Sequence, residues 1–170
     1  SIEKRSNFVN EIVEAIRSRV TNNFIVGLRF SQWKQHDFDA KLAQTPDELE
    51  KVIMPPVNAG LDYLHSSMRR FWESEFPDSK ENLAYWTKKI SDITTIGVGS
   101  VGLDSDFIDM MAPANPTSID KAIEDISSNK YELIAVGRAL ISDPNWVIKM
   151  KEGRFDELIP YTKESLLTLY

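Results

Sequence analysis

The chain has 170 residues, 42% of them hydrophobic, with a formal net charge of −6, no cysteine and two histidines. That length and apolar content suit one domain with a real core, and the acidic balance argues against nucleic acid or an anionic membrane as the main partner. Without cysteine, disulfides, thiolate chemistry and Cys-ligated metals are excluded, and His36 and His65 alone make a histidine-rich metal site unexpected.

The chain opens on Ser1 rather than Met, with no signal-peptide pattern, and no apolar run reaches the ~18 residues of a membrane span. A trimmed or internal piece of a soluble, cytoplasmic protein is expected. Val9, Ile12, Val13, Ile16 and Val20 recur at helical spacing, predicting a helix over 1–20. Asn22 and Asn23 break it, and FIVGLRF at 24–30 reads as a strand buried on both faces. A polar stretch, 31–44, follows. Thr45, Pro46 and Glu48 combine a capping box with proline at the first helical position. Leu49, Val52 and Ile53 form that helix's apolar stripe, and Pro55-Pro56 should kink or end it early.

Gly60 turns into a second strand over 61–65. A loop over 66–80 then carries Met68, Phe71, Trp72 and Phe76. A helix over 81–90 packs through Leu83, Trp86 and Ile90, and the third strand is 94–98. Residues 102–116 read as an insertion, with a short helix around 107–111. Ser118 is the expected cap of a helix striped by Ile119, Ala122, Ile123 and Ile126. The fourth strand is 132–136, and short helices follow at 144–152 and 163–170. Four βα units in this order imply an α/β fold with a parallel sheet and right-handed crossovers. A full (β/α)8 TIM barrel takes typically ~250 residues, so residues 1–170 read as a half-barrel of about four βα units. Its edges and inner face would need a missing half or a second copy.

The chemistry is expected at the C-terminal ends of the strands. Around Gly137 and Arg138 an apolar strand runs straight into a helix start. Glycine there lets a ligand approach the backbone, while helix N–H groups and a guanidinium can clamp a phosphate. Gly99 ends the preceding strand and makes a second candidate contact, whereas Gly97 reads as packing. In FIVGLRF, Phe24, Val26, Leu28 and Phe30 share the bulky face suited to the helix layer. Ile25, Gly27 and Arg29 share the face suited to a barrel interior. Arg29 must then meet either an anionic or electron-rich ligand or a carboxylate from another strand. His65, at a strand end, could reach a ligand or be satisfied by backbone. Phe71, Trp72 and Phe76 could wall a substrate pocket or fill the core. Met110 and Met111 read as packing, His36 as solvated, and the charges of 149–157 as a solvated helix face.

Five segments in order resemble the old yellow enzyme family of FMN-dependent NADH:flavin oxidoreductases. They are SIEKRSNF at 1–8, VGLRFS at 26–31, AGLDYLHS at 59–66, IGVG at 96–99 and AVGRALISDP at 135–144. Lys4, where the family carries Asn, and the long 102–116 insertion point to a branch near the bacterial NADH-dependent flavin oxidoreductases. The resemblance implies FMN across a barrel mouth, with Arg29 at the N1 and C2 carbonyl edge of the flavin. Gly99, Gly137 and Arg138 would hold its 5′-phosphate. It implies hydride transfer from NAD(P)H to a small-molecule acceptor such as an electron-poor alkene, a quinone, a nitro compound or oxygen. The family's acceptor-binding His/His or His/Asn pair and its tyrosine proton donor lie upstream of these motifs, so no catalytic residue and no metal ligand is expected here. The 170 residues alone are expected to be inactive. Another phosphate-binding TIM-barrel class and a non-catalytic fragment are the competing readings.

Overall fold

The computed structural model describes residues 1–34, 36–107 and 112–167. A short 3-10 turn (Ile2–Lys4) leads into α1 (Asn7–Arg17), and strands and helices then alternate. They run β1 (Gly27–Phe30), α2 (Pro46–Asn58), β2 (Tyr63–Ser67), α3 (Leu83–Ser91), β3 (Thr94–Val98), α4 (Asp120–Ser127) and β4 (Leu133–Ile134). Helices α5 (Arg138–Ser142) and α6 (Trp146–Glu152) close the series, with 3-10 turns at Phe155–Glu157 and Lys163–Leu167. The strands form one parallel sheet in the order β1-β2-β3-β4, as four successive βα units require. No helix among the described residues is long and apolar enough to cross a membrane. The expected helix around 107–111 and the pair Met110-Met111 lie outside the described residues.

One face of the sheet is covered by helices. Leu64 of β2 meets Leu49, Val52 and Ile53 of α2 and Leu83 and Ala84 of α3 in the main core. Val26, Leu28 and Phe30 turn toward that core, as the alternation in FIVGLRF predicts, but Phe24 lies before the strand and is exposed. Gly97 also faces the helices, because a Cβ there would press on Tyr131, Ala84 and Met68. Among the described residues no helix or strand covers the opposite face. Gly27 and Arg29, Tyr63, His65 and Ser67, and Thr94, Ile96 and Val98 project from it. So do Ile25, 71% exposed, and Leu133, 52% exposed. A smaller cluster of Leu103, Ala114, Ala139, Trp146 and Tyr161 packs Leu103 and Ala114 against α5 and α6.

Several boundaries move for local reasons. The ladder of β1 starts at Gly27 because the Val26 N–H donates to the Asp62 carboxylate (2.7 Å), which is also ion-paired with Arg17. That backbone hydrogen bond, and then Arg17, hold the Asp62 carboxyl below the usual carboxylate range. With Leu61 and Asp62 committed to this junction, β2 begins two residues later than the pattern predicts. β4 is assigned over two residues only, although the N–H groups of Glu132 and Ala135 still bond β3 carbonyls at 3.2 and 2.8 Å. Helix α2 runs through Pro55 and Pro56 to Asn58, contrary to the expected early stop. Both prolines fall in the last turn, and the N–H groups beyond them bond normally, from Ala59 to Pro55 and from Gly60 to Val57.

The expected cap of α2 forms. Thr45 Oγ1 accepts from Glu48 N (3.2 Å), and Glu48 Oε2 reaches back to Gln44 N (2.8 Å). Thr45→Ala should therefore destabilise the chain by about 1 kcal/mol, read as a lower urea midpoint at unchanged slope. In α4 the cap differs: Ser118 Oγ accepts from Asp120 N (3.0 Å), but Ile119 occupies the N-cap position. The apolar stripe is also incomplete there, since Ile123 is exposed and Asp125 is buried. Asp125 is held by Lys121 (2.5 Å), Lys130 (3.3 Å) and the Tyr131 hydroxyl (3.3 Å). The charges of 149–157 are not all solvated. Lys149 pairs at 2.8 Å with the buried Asp143, which also accepts from Asn145 N (3.1 Å) at the start of α6.

Candidate functional site

At the C-terminal ends of the four strands lies a cavity of about 290 Å³. Arg29 from β1, Ser67 at the end of β2 and Met68 just after it, Val98 at the end of β3 and Gly99 to Val101 just after it, and Gly137 and Arg138 after β4 line it. The structure thus brings together the four candidate cofactor residues, Arg29, Gly99, Gly137 and Arg138, from separate parts of the sequence. β1 and β4 are three strand spacings apart, roughly 14 Å along the sheet. The site therefore suits an elongated ligand contacted at both ends.

Arg29 stands on the uncovered face, and its Nη2 donates to Ser67 Oγ at 3.1 Å. Among the described residues it makes no ion pair, so the carboxylate alternative is not realised. Arg138 is held from two sides. Its Nη1 and Nη2 donate to the carbonyls of Asp106 (3.1 Å) and Ser105 (2.5 Å), and its guanidinium sits 5.3 Å from the Tyr161 ring centre. Burial pushes the Arg138 pKa down, and the nearby Tyr161 side chain and the Asp106 and Asp104 carboxylates oppose that shift. A guanidinium has five N–H donors in a fixed fork, so these contacts orient Arg138 and leave further donors for a ligand.

Gly137 has open space where a Cβ would stand, and a ligand can come close to the chain there. Helix α5 that follows is only five residues long, so the expected helix-terminus contribution is small and the guanidinium dominates. Gly99 has a different reason to be glycine. A Cβ would strike the Met68 carbonyl oxygen at 2.8 Å and the Phe71 nitrogen at 3.0 Å. It lines the cavity, but backbone packing already demands it.

Three substrate-pocket candidates are placed elsewhere. His65 lies mid-strand, not at the strand end, as the cross-strand neighbour of Arg29. Burial and then the Arg29 charge push its pKa down, so it is neutral at pH 7. Phe71 is a core residue, 3% exposed. Trp72 is 39% exposed and stacks edge-on against Phe71 at 5.2 Å. None of the three lines the cavity. The reason is that the chain after β2 keeps following β3: Met68 N bonds Val98 O (2.8 Å) and Phe71 N bonds Gly99 O (3.0 Å). The aromatic residues at the cavity are instead Trp33 and Phe107, which motif reading passed over. A larger depression of about 430 Å³ between α4 and α6 is mainly apolar and offers an anion no cation.

Residues 1–157 match the model of the NADH:flavin oxidoreductase / NADH oxidase family. The chain is 30% identical over 166 residues to an NADH oxidase of Thermoanaerobacter brockii, covering 93% of this chain and 23% of that protein. It is 28% identical over 158 residues to the probable NADH-dependent flavin oxidoreductase YqiG of Bacillus subtilis (strain 168), covering 91% and 38%. Among solved structures it superposes on morphinone reductase in complex with tetrahydroNAD, with a TM-score of 0.61 at 18% identity, over 90% of this chain and 35% of that one. The chain thus spans about a quarter to two fifths of the relatives it matches. Its four βα units follow part of a (β/α)8 barrel.

Proposed function

The chain belongs to the NADH:flavin oxidoreductase / NADH oxidase family, whose cofactor is FMN, and from that premise we propose that FMN binds along the strand-end cavity. The observation that carries this is the meeting of Arg29, Gly99, Gly137 and Arg138 around one cavity with cations at both ends. The donor set fits the group: an arginine that pairs with no carboxylate among the described residues at one end, and an oriented guanidinium beside an unobstructed glycine at the other. Arg138 and the Gly137 amide would hold the 5′-phosphate, with Gly99 allowing close passage at the end of β3. Arg29, kept in place by Ser67, would sit at the pyrimidine edge of the ring.

Bound FMN would supply two-electron chemistry, taking hydride from NAD(P)H and passing it to an electron-poor alkene, quinone, nitro compound or oxygen. This chain's own part is electrostatic. Arg29 offers a fixed positive charge where negative charge arrives with the hydride. His65, neutral beside it, adds no competing cation. The resemblance places the family's proton donor upstream of this chain, so that role would fall to the rest of the barrel. A complementary half, or a second copy, would cover the exposed sheet face and complete the site.

The test is titration of the full-length protein with FMN, followed by anaerobic addition of NADH. Saturable binding and bleaching of the flavin band are expected. A protein that binds no flavin would remove the reading. The 170-residue chain alone should oxidise no NADH and should self-associate through Ile25, Leu133 and the free edges of β1 and β4. Light scattering that finds a compact monomer at tens of micromolar would count against the half-barrel reading.

A further inference from the structure

The family match ends at residue 157, but the chain beyond it stays on the fold. Residues 158–167 run as a strap over the helices that follow β4. Where the strap begins, Lys149 Nζ donates to Glu157 O (2.8 Å) and Ile159 N donates to Asp143 Oδ2 (3.3 Å). In its middle Tyr161 N donates to Ala114 O (2.8 Å) and Tyr161 O accepts from Ala114 N (2.9 Å). Further on, Ser142 Oγ donates to Ser165 Oγ at 3.1 Å. Ser142 ends α5 and Asp143 follows it, while Arg138 opens the same helix. The strap is thus fastened to the element that carries the arginine of the strand-end cavity.

Tyr161 is fully buried in this strap, and the Arg138 guanidinium lies over its ring, 5.3 Å from the centroid. That is within cation–π reach. The support differs in kind from a salt bridge. A ring face uses none of the five guanidinium N–H donors and cancels none of the charge. The Ser105 and Asp106 carbonyls that accept from Arg138 are neutral as well. The Asp106 carboxylate engages Arg69 and Arg70 instead, each at 3.0 Å. Arg138 is therefore fixed in plane by groups that leave its positive charge for an anion in the cavity.

Resting on the flavin reading above, we propose that Tyr161 is a positioning residue that holds Arg138 for the flavin 5′-phosphate and so sets the preference of the site for FMN over riboflavin, which lacks the phosphate. Its effect passes through Arg138 alone, because Tyr161 itself does not line the cavity.

The experiment titrates the full-length protein with FMN and with riboflavin. Tyr161→Leu removes the ring and should weaken FMN by about three- to tenfold, the range of one cation–π contact, with riboflavin affinity unchanged. Tyr161→Phe keeps the ring and should restore FMN affinity. In an Arg138→Ala background, Tyr161→Leu should cause no further loss of FMN. Pentafluorophenylalanine at position 161 keeps the ring's shape and reverses the polarity of its face. It should weaken FMN and spare riboflavin even where the Leu variant does not fold. Unchanged FMN affinity in the Leu and pentafluoro variants, an equal loss of both flavins, a Phe variant as weak as the Leu variant, or a full additional loss in the Arg138→Ala background would each overturn the proposal. Wild-type protein that binds neither flavin would instead defeat the flavin reading itself.

Discussion

Replacing Arg138 with Ala in the full-length protein should weaken FMN binding by roughly 10- to 150-fold. A charge-assisted hydrogen bond to a phosphate contributes ~1.5–3 kcal/mol, and each 1.4 kcal/mol is a tenfold change in affinity. The structure adds a reason to expect the upper part of that range. Arg138 does not search for its ligand, because the Ser105 and Asp106 carbonyls and the Tyr161 ring already fix its plane. Little side-chain freedom is left to lose on binding. The same contacts pose a competing explanation, since truncation also releases the 105–106 segment from α5. Arg138→Lys separates the two. It keeps a charge but loses the planar fork, so a phosphate role predicts partial recovery of FMN affinity. Equal FMN affinity in wild type and Arg138→Ala would show that the phosphate is held elsewhere.

The parts of the site that were readable in the sequence depend on rules of short range. A strand alternates its faces, so once Gly27 is placed on the uncovered side Arg29 must follow it. Gly137-Arg138 directly follows an apolar strand, and its place at the strand end follows from order alone. The Thr45 cap is equally local, and it forms, although the Glu48 carboxylate reaches Gln44 N and not the Thr45 N–H of a strict capping box. What was not readable depends on contacts between loops. Trp33 sits in a polar stretch without periodicity, and nothing in its neighbours indicates a wall of a cavity. Only the Gln32–Ala43 clamp and the rings of Phe38 and Phe107 bring it there. Phe71 and Trp72 mislead for the opposite reason. Their loop follows a strand toward the open mouth, but its backbone continues to pair with the end of β3 and carries Phe71 into the core. One signal was available: Gly99 tolerates no Cβ because that backbone lies against it. A glycine at a strand end can report a crossing chain as readily as a ligand.

The largest kinetic effect is expected at Arg29. Arg29→Leu should lower the flavin reduction potential and slow flavin reduction by NADH by roughly 10²-fold, the usual cost of removing one preorganised charge-stabilising donor. The sign follows from the charge balance. Arg29 has no carboxylate partner among the described residues; its Nη2 donates to the neutral Ser67 hydroxyl, and its cross-strand neighbour His65 is neutral. Its positive charge is therefore unspent before reduction and is matched when negative charge arrives with the hydride. Removing it disfavours the reduced state more than the oxidised one, so the potential falls and hydride acceptance slows. FMN affinity in the oxidised state should change much less than in Arg138→Ala, because the phosphate contacts at the other end of the cavity are intact. Dye equilibration gives the potential, and rapid mixing with NADH gives the rate. A variant with lower FMN affinity but an unaltered potential would make Arg29 a binding residue only. A structural role alone would lower stability and leave both the potential and the rate per bound flavin unchanged.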